Sequence, residues 1–234
     1  MFDDIYKQVQ KSTLLEKLRS KSFNWNEFKK LAEKNNMEEA NTYAQKRLQW
    51  LGAGSSRCAF VLSSRFVLKS ALGAGPIGLA SLKGVAQNKN EVEVFTSPNL
   101  KSIFTEIYDF DSNYRWLVCE IVKEAHNRDY LRAFGCTKAF FFYVLNKTID
   151  KKTAPTEAVL KELAQGYREN VNKINFKKLF ETFNGVEEAT KYGLHGGDMR
   201  YDDHWGITAS GRIVLLDFGL SLDIWDQHYL GGRI

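Results

Sequence analysis

Residues 195–219 read HGGDMRYDDHWGITASGRIVLLDFG, and this stretch restricts the fold more tightly than any other. Two β-rich runs around Thr208-Ala209-Ser210-Gly211 predict a hairpin over 204–219 that turns at Ala209–Gly211. An Asp-rich loop enters the first strand, and the second ends in Asp217-Phe218-Gly219. A short hairpin of this kind is stable only when it rests on a larger body, which the preceding chain has to supply.

The first fifty residues predict helices. In FNWNEFKKLAEK, Asn24 is placed to cap, Glu27 to reach back as in a capping box, and Phe23 and Phe28 to form a hydrophobic staple. Asn36 and Glu39 repeat the pairing. Apolar stripes at Trp25, Phe28, Leu31 and Ala32, and at Ala44, Leu48 and Leu51, predict that both helices pack on something. From Leu51 the period changes. LGAGSSRCAFVLSSRFVLKSA predicts a Gly-rich turn and a hairpin with Lys69 near its far end. A Gly-rich connection, ALGAGPIGLASLKG, leads to a helix in VAQNKNEVEVF with Glu91 and Glu93 in its middle. KSIFTEIYDF and NYRWLVCEIV predict two more strands with a turn at Asp111–Asn113. Helices follow in RDYLRAF, ending at Gly135, then in TKAFFFYVLNKTI, TEAVLKELAQGYRENV and FKKLFETFNGVEEATKYG. The order predicts an α+β fold with two lobes and a cleft.

Composition narrows the function. With 44% hydrophobic and 26% charged residues, the chain has the make-up of a globular protein rather than a disordered one. Cys58, Cys119 and Cys136 show no CxxC or Cys/His ligand spacing, which predicts buried thiols in a reducing, intracellular setting. MFDDIYKQ has neither the basic nor the apolar region of an export signal, and AFFFYVL is too short to span a bilayer. The net charge is +5, and the positive excess lies in the first 150 residues, since residues 151–234 carry 11 Lys and Arg against 12 Asp and Glu. No nucleic-acid recognition motif accompanies that basicity, so nucleic-acid binding is the outside reading.

Phosphoryl transfer from a nucleotide needs backbone donors over the phosphates, a Lys on the α/β-phosphates, metal-binding carboxylates and a group that orients the nucleophile. The chain offers candidates in that order: GAGSSR, FVLK, AQNKNE, GDMRYDDHWG and LLDFG. From about Leu51 to Leu220 these segments resemble the protein-kinase-like superfamily, and their spacing is similar to that of small kinase-like proteins of bacteriophages and bacteria. The resemblance implies a small antiparallel-sheet N-lobe over 50–124, a reduced helical C-lobe over 125–234, and a helical extension over 1–49. It implies ATP with Mg2+ or Mn2+, and a protein or small-molecule phosphoacceptor in a cytoplasm, that of a host if the chain is phage-encoded.

Residue by residue, the resemblance makes Gly52 and Gly54 the phosphate turn, where Ser55, Ser56 and Arg57 could add donors; Arg57 stands where the pattern has its third Gly. Lys69 becomes the α/β-phosphate ligand. Its helix partner is Glu91, with Glu93 the alternative, because residues two apart cannot share a helix face. Glu120 and Val122 match the hinge that meets the adenine edge, Asp217 the metal ligand, and Asp198 the catalytic base. His195 stands three residues before Asp198 where the pattern has two. Five after Asp198, in place of an Asn, comes Asp203, then His204. Asp203 replaces the Asn as an oxygen ligand, or an insertion makes His204 its equivalent, or neither binds metal and His204 is a hydrogen-bonding loop residue. Magnesium favours Asp203, while manganese tolerates either. Arg200 is read equally as a phosphate contact and as an exposed salt-bridge partner, and Asp202 as a solvated neighbour. Fifteen residues follow Gly219, with no APE and too little chain for the usual peptide platform. These features predict a compact phosphotransferase, with a nucleotide-binding pseudokinase that scaffolds or inhibits a partner as the alternative.

Overall fold

The computed structural model describes residues 23–74, 78–97, 100 and 103–230. The first part of the expected extension, 1–22, lies outside the described residues, as do Pro76 in the Gly-rich connection and the start of the strand expected from Lys101. The fold is α+β, with a five-stranded antiparallel sheet and a separate helical part. It divides into two compact units: residues up to Glu93 together with Glu106–Ile121, and Val94–Thr105 together with Val122–Leu230.

In the first unit, α1 (Trp25–Glu33) and α2 (Met37–Gln45) precede β1 (Gln49–Ala53), β2 (Arg57–Val61) and β3 (Phe66–Ala71). Asn24 caps α1 by accepting from the N–H groups of Asn26 and Glu27 at 2.9 and 3.2 Å. The return half of the expected capping box is replaced, because the Asn24 N–H donates to Tyr43 Oη at 3.0 Å. The Asn36 side chain accepts from the Glu39 N–H at 3.1 Å. Phe28, Leu31, Ala32, Met37, Ala40 and Ala44 form one core with Phe60, Leu68, Trp116 and Val118 of the sheet, so both helices share its hydrophobic face. Each large side chain buried there contributes about 1.5–3 kcal/mol.

The Gly-rich connection holds a ribbon that the sequence pattern did not signal, β4 (Gly73–Ala74) paired with β5 (Leu79–Ala80). Helix α3 (Leu82–Thr96) starts three residues before the predicted span. The strand expected over KSIFTEIYDF is confined to β6 (Ile107–Phe110), which pairs with β7 (Trp116–Glu120). Strand order in the sheet is β1-β2-β3-β7-β6.

In the second unit, β8 (Lys123–Glu124) leads to α4 (Asn127–Phe134), α5 (Lys138–Lys151), α6 (Glu157–Gly166) and α7 (Phe176–Tyr192). Gly135 closes α4 at φ 77, its N–H donating to the Leu131 carbonyl at 3.0 Å. A Cβ there would lie 1.8 Å from the Lys173 carbonyl oxygen, so only glycine fits this left-handed cap. Thr137, Thr156 and Asn175 cap the next three helices. The helix expected to run to Val171 stops at Gly166, with Arg168 at φ 62. Phe141 sits at the centre, against Phe134, Phe183 and Trp205 at 5.3 Å each. A short α8 (Gly196–Arg200) precedes β9 (Trp205–Ile207) and β10 (Ile213–Leu215), which form a three-stranded sheet with β8. The chain then forms α9 (Leu222–Trp225). Cys58, Cys119 and Cys136 are free and buried, and burial pushes the Cys58 and Cys136 thiols up to about 12. Among the described residues no helix is long and apolar enough to cross a membrane.

Candidate functional site

One set of candidate residues lies in the sheet unit. Gly52 follows a bulge in β1, and the Gly54 N–H donates to the Arg57 carbonyl at 2.9 Å to close the β1–β2 turn. Gly54 and Ser55 are exposed, and a Cβ at Gly52 or Gly54 would meet no atom within 4 Å. The backbone there can be approached closely by a ligand. The side chains of Ser56 and Arg57 are engaged by α3. Ser56 Oγ donates to Gln87 Oε1 of α3 at 2.7 Å, and Arg57 Nη1 donates to Asn88 Oδ1 at 3.2 Å and Glu91 Oε1 at 2.7 Å.

Lys69 on β3 faces the same helix. Its ammonium lies 2.9 Å from each oxygen of Glu91, a fully buried carboxylate. Glu93 is exposed and pairs with Lys89 at 3.7 Å along the helix. Gly84 sets this approach, because a Cβ there would lie 2.4 Å from the Ser56 carbonyl oxygen and 2.9 Å from Ala71 Cβ. With Gln87, Asn88 and Glu91, α3 turns a polar face to the sheet, and the Asn88 amide also donates to the Tyr114 carbonyl at 2.8 Å. The spacing of those three residues at i, i+1 and i+4 was the available sequence signal for this face.

Glu120 ends β7. Its N–H donates to the Glu106 carbonyl and that of Ile121 to the Arg65 carbonyl, both at 2.8 Å. Both donors are engaged within the sheet, at the end of β7.

A second set lies in the helical unit. Asp198 is half-buried within α8, its N–H donating to the His195 carbonyl at 3.1 Å. Asp202–His204 forms a single 3-10 turn directly before β9. His204 Nδ1 lies 2.8 Å from the Asp198 carbonyl. A carbonyl only accepts, so Nδ1 carries a proton, and Nε2 is the ring nitrogen left to face a ligand. The His204 carbonyl accepts from the Leu216 N–H at 2.8 Å, one residue before Asp217. Phe218 is buried against Phe104 with ring centroids 4.2 Å apart, which anchors the strand end that carries Asp217.

Asp203 is exposed, and Asp202 pairs with Lys138 at 3.0 Å. Arg200 forms an ion pair with Asp150, the second of the two readings open for it. Among the described residues no group of three or more His, Cys, Asp or Glu is gathered to hold a metal. The carboxylates of Asp217 and Asp203 are hard oxygen donors that suit magnesium completed by phosphate oxygens and water, whereas His204 Nε2 suits softer cations. The residue that the sequence pattern did not signal is Trp225, whose ring stacks on His195 at 5.0 Å and on Tyr229 at 5.1 Å. With the His195 N–H donating to the Leu220 carbonyl at 3.0 Å, this stack ties the segment after Gly219 to the start of the Asp198 loop.

No protein-family model matches the chain. No curated protein matches it either. Solved structures do. WbdD, crystallised with a kinase inhibitor, is 19% identical over 74% of this chain, with a TM-score of 0.35; this chain spans only 32% of the length of that protein. APH(2'')-IIa in its ternary complex with streptomycin and ATP is 12% identical over 77% of this chain and 70% of its own, with a TM-score of 0.34. SAICAR synthase from Saccharomyces cerevisiae is 13% identical over 75% of this chain and 74% of its own, with a TM-score of 0.36. Similarities this distant leave the chemistry to the residues themselves.

Proposed function

We propose that the protein is an ATP- and metal-dependent phosphotransferase of the protein-kinase-like type, which moves the γ-phosphate of ATP to a hydroxyl of a protein or small molecule. The observation that carries this reading is the Lys69–Glu91 pair, with Nζ 2.9 Å from both oxygens of a fully buried carboxylate, on the strand next to the one that an exposed glycine turn leads into. A structural ion pair needs neither the open turn nor the polar helix face; a polyphosphate site uses both.

In this reading the backbone of Gly52, Gly54 and Ser55 lies along the phosphates and Lys69 holds the α/β-phosphate oxygens. The Glu120 carbonyl and Val122 N–H take the adenine edge. Asp217 would hold the metal, with Asp203 or His204 as second ligand. Bound Mg2+ or Mn2+ would neutralise charge on the β- and γ-phosphate oxygens. The acceptor oxygen bonds to Pγ as the bond from Pγ to the β,γ-bridging oxygen breaks and ADP leaves. Asp198 takes the proton of the attacking hydroxyl. Three buried free thiols are in keeping with a reducing compartment, and we assign the cytoplasm.

The test is incubation with labelled ATP and Mg2+ or Mn2+, alone and with cell extract, for wild type and Asp217→Ala. Transfer to an acceptor, reduced at least about 100-fold in the variant, is the expected result; no transfer by wild type under either metal removes the phosphotransferase reading. One observation favours a second reading, a nucleotide-binding pseudokinase. His204 stands directly before β9 with Nδ1 committed to the Asp198 carbonyl, while Asp203 is exposed. Binding of ATP without transfer supports that alternative.

A further inference from the structure

Glu91 is fully buried, and two cations on neighbouring strands approach it: Lys69 from β3 and Arg57 from β2. An ionised carboxylate removed from water is costly unless paired and hydrogen-bonded. Lys69 lies 2.9 Å from each oxygen, whereas Arg57 lies 2.7 Å from Oε1 and also braces itself on Asn88 one turn earlier in α3. The two contacts are therefore not equivalent. The compact ammonium, on a flexible stem, can share its protons with another anion. The planar guanidinium, held by two acceptors on one helix, is fixed in direction.

We infer that Arg57 is a positioning residue. It keeps Glu91 compensated and aimed while Lys69 turns part of its hydrogen bonding toward a phosphate. Without Arg57, each proton that Lys69 gives to a phosphate is withdrawn from a buried carboxylate, and phosphate binding is weakened by that cost. The inference rests on the proposed phosphotransferase reading and assigns Arg57 a role through Glu91 rather than on the nucleotide.

The experiment measures the Kd of ATP–Mg2+ by titration calorimetry for wild type, Arg57→Met, Arg57→Lys, Glu91→Gln and the Arg57→Met/Glu91→Gln pair, each first shown to be folded by circular dichroism. Arg57→Met is expected to weaken binding about tenfold, about 1.4 kcal/mol, with Arg57→Lys recovering most of the loss. In the Glu91→Gln background, removing Arg57 is expected to change binding less than about twofold, the coupling expected of residues that act as a unit. An equal loss in both backgrounds overturns the inference, since Arg57 then acts independently of Glu91, and so does wild-type affinity in folded Arg57→Met. Wild type that fails to bind ATP overturns the proposed function instead, and a folded Arg57→Met is then expected to differ in nothing but stability.

Discussion

Asp111 and Arg115 hold the turn between β6 and β7. Arg115 Nε donates to Asp111 Oδ2 at 2.6 Å and Nη2 to Oδ1 at 2.8 Å, and the N–H groups of Asn113 and Arg115 add to Oδ2. Arg115 Nη1 also donates to the Ala32 carbonyl, linking the turn to α1. Burial pushes the Asp111 carboxyl up, but the Arg115 guanidinium and the backbone donors outweigh it, so its pKa lies below the ordinary value. A carboxyl depressed in the folded state contributes stability that is complete above its unfolded pKa and is lost as pH falls through the folded one. Asp111→Asn is therefore expected to cost about 3 kcal/mol in urea unfolding near neutral pH, because Arg115 is left buried without its charge partner. The gap to wild type should narrow below about pH 4. A gap independent of pH would show that shape rather than charge holds the turn. At this scale the contact of Lys69 with Glu91 could be anticipated, since motif order singled out one Lys and the helical period admitted one of two Glu residues. The direction of Arg57 was not, because a residue at the edge of a turn can lie over the loop or against a helix, and only the depth of α3 decides.

Helix α3 depends on the absence of a side chain at Gly84. The close approach to the Ser56 carbonyl and Ala71 Cβ lets Gln87, Asn88 and Glu91 reach Ser56, Arg57 and Lys69. A methyl group at Gly84 meets backbone rather than a flexible side-chain end, so the helix must move away from β2 and β3. Overpacking of this kind costs about 1–3 kcal/mol, although Ala by itself favours a helix over Gly. Gly84→Ala is expected to lower stability by that amount in denaturant unfolding and to weaken ATP binding about tenfold, as the Glu91–Lys69 contact lengthens. Wild-type stability and affinity would show that the helix has room to move without disturbing the pair. The capped helices and the β2–β3, β6–β7 and β9–β10 hairpins were readable because caps, glycines and hydrophobic period are local signals. The β4–β5 ribbon and β8 were not, since two-residue strands carry no period and are defined only by their partners.

Across the whole molecule, the residues assigned to phosphate binding and those assigned to metal belong to different compact units, with Lys69 in one and Asp217 in the other. Sequence order could gather them into one list of motifs, since that list needs only their succession along the chain. It could not choose between Asp203 and His204, because one inserted residue shifts which side chain precedes β9. The proposal requires nucleotide and metal to act together, and linkage supplies the magnitude. A ligand at 100 times its Kd that binds only the folded state adds about 2.7 kcal/mol, which for a protein of this size raises Tm by about 5–10 °C. ATP with Mg2+ is expected to produce that rise in wild type, measured by differential scanning calorimetry, and ATP with EDTA a much smaller one. Lys69→Met should lose most of the rise with or without metal. Asp217→Ala should retain the smaller, metal-independent part, because phosphate contacts survive the loss of the metal ligand. A rise of equal size with and without metal in wild type would place nucleotide binding on Lys69 alone and remove Asp217 from the site.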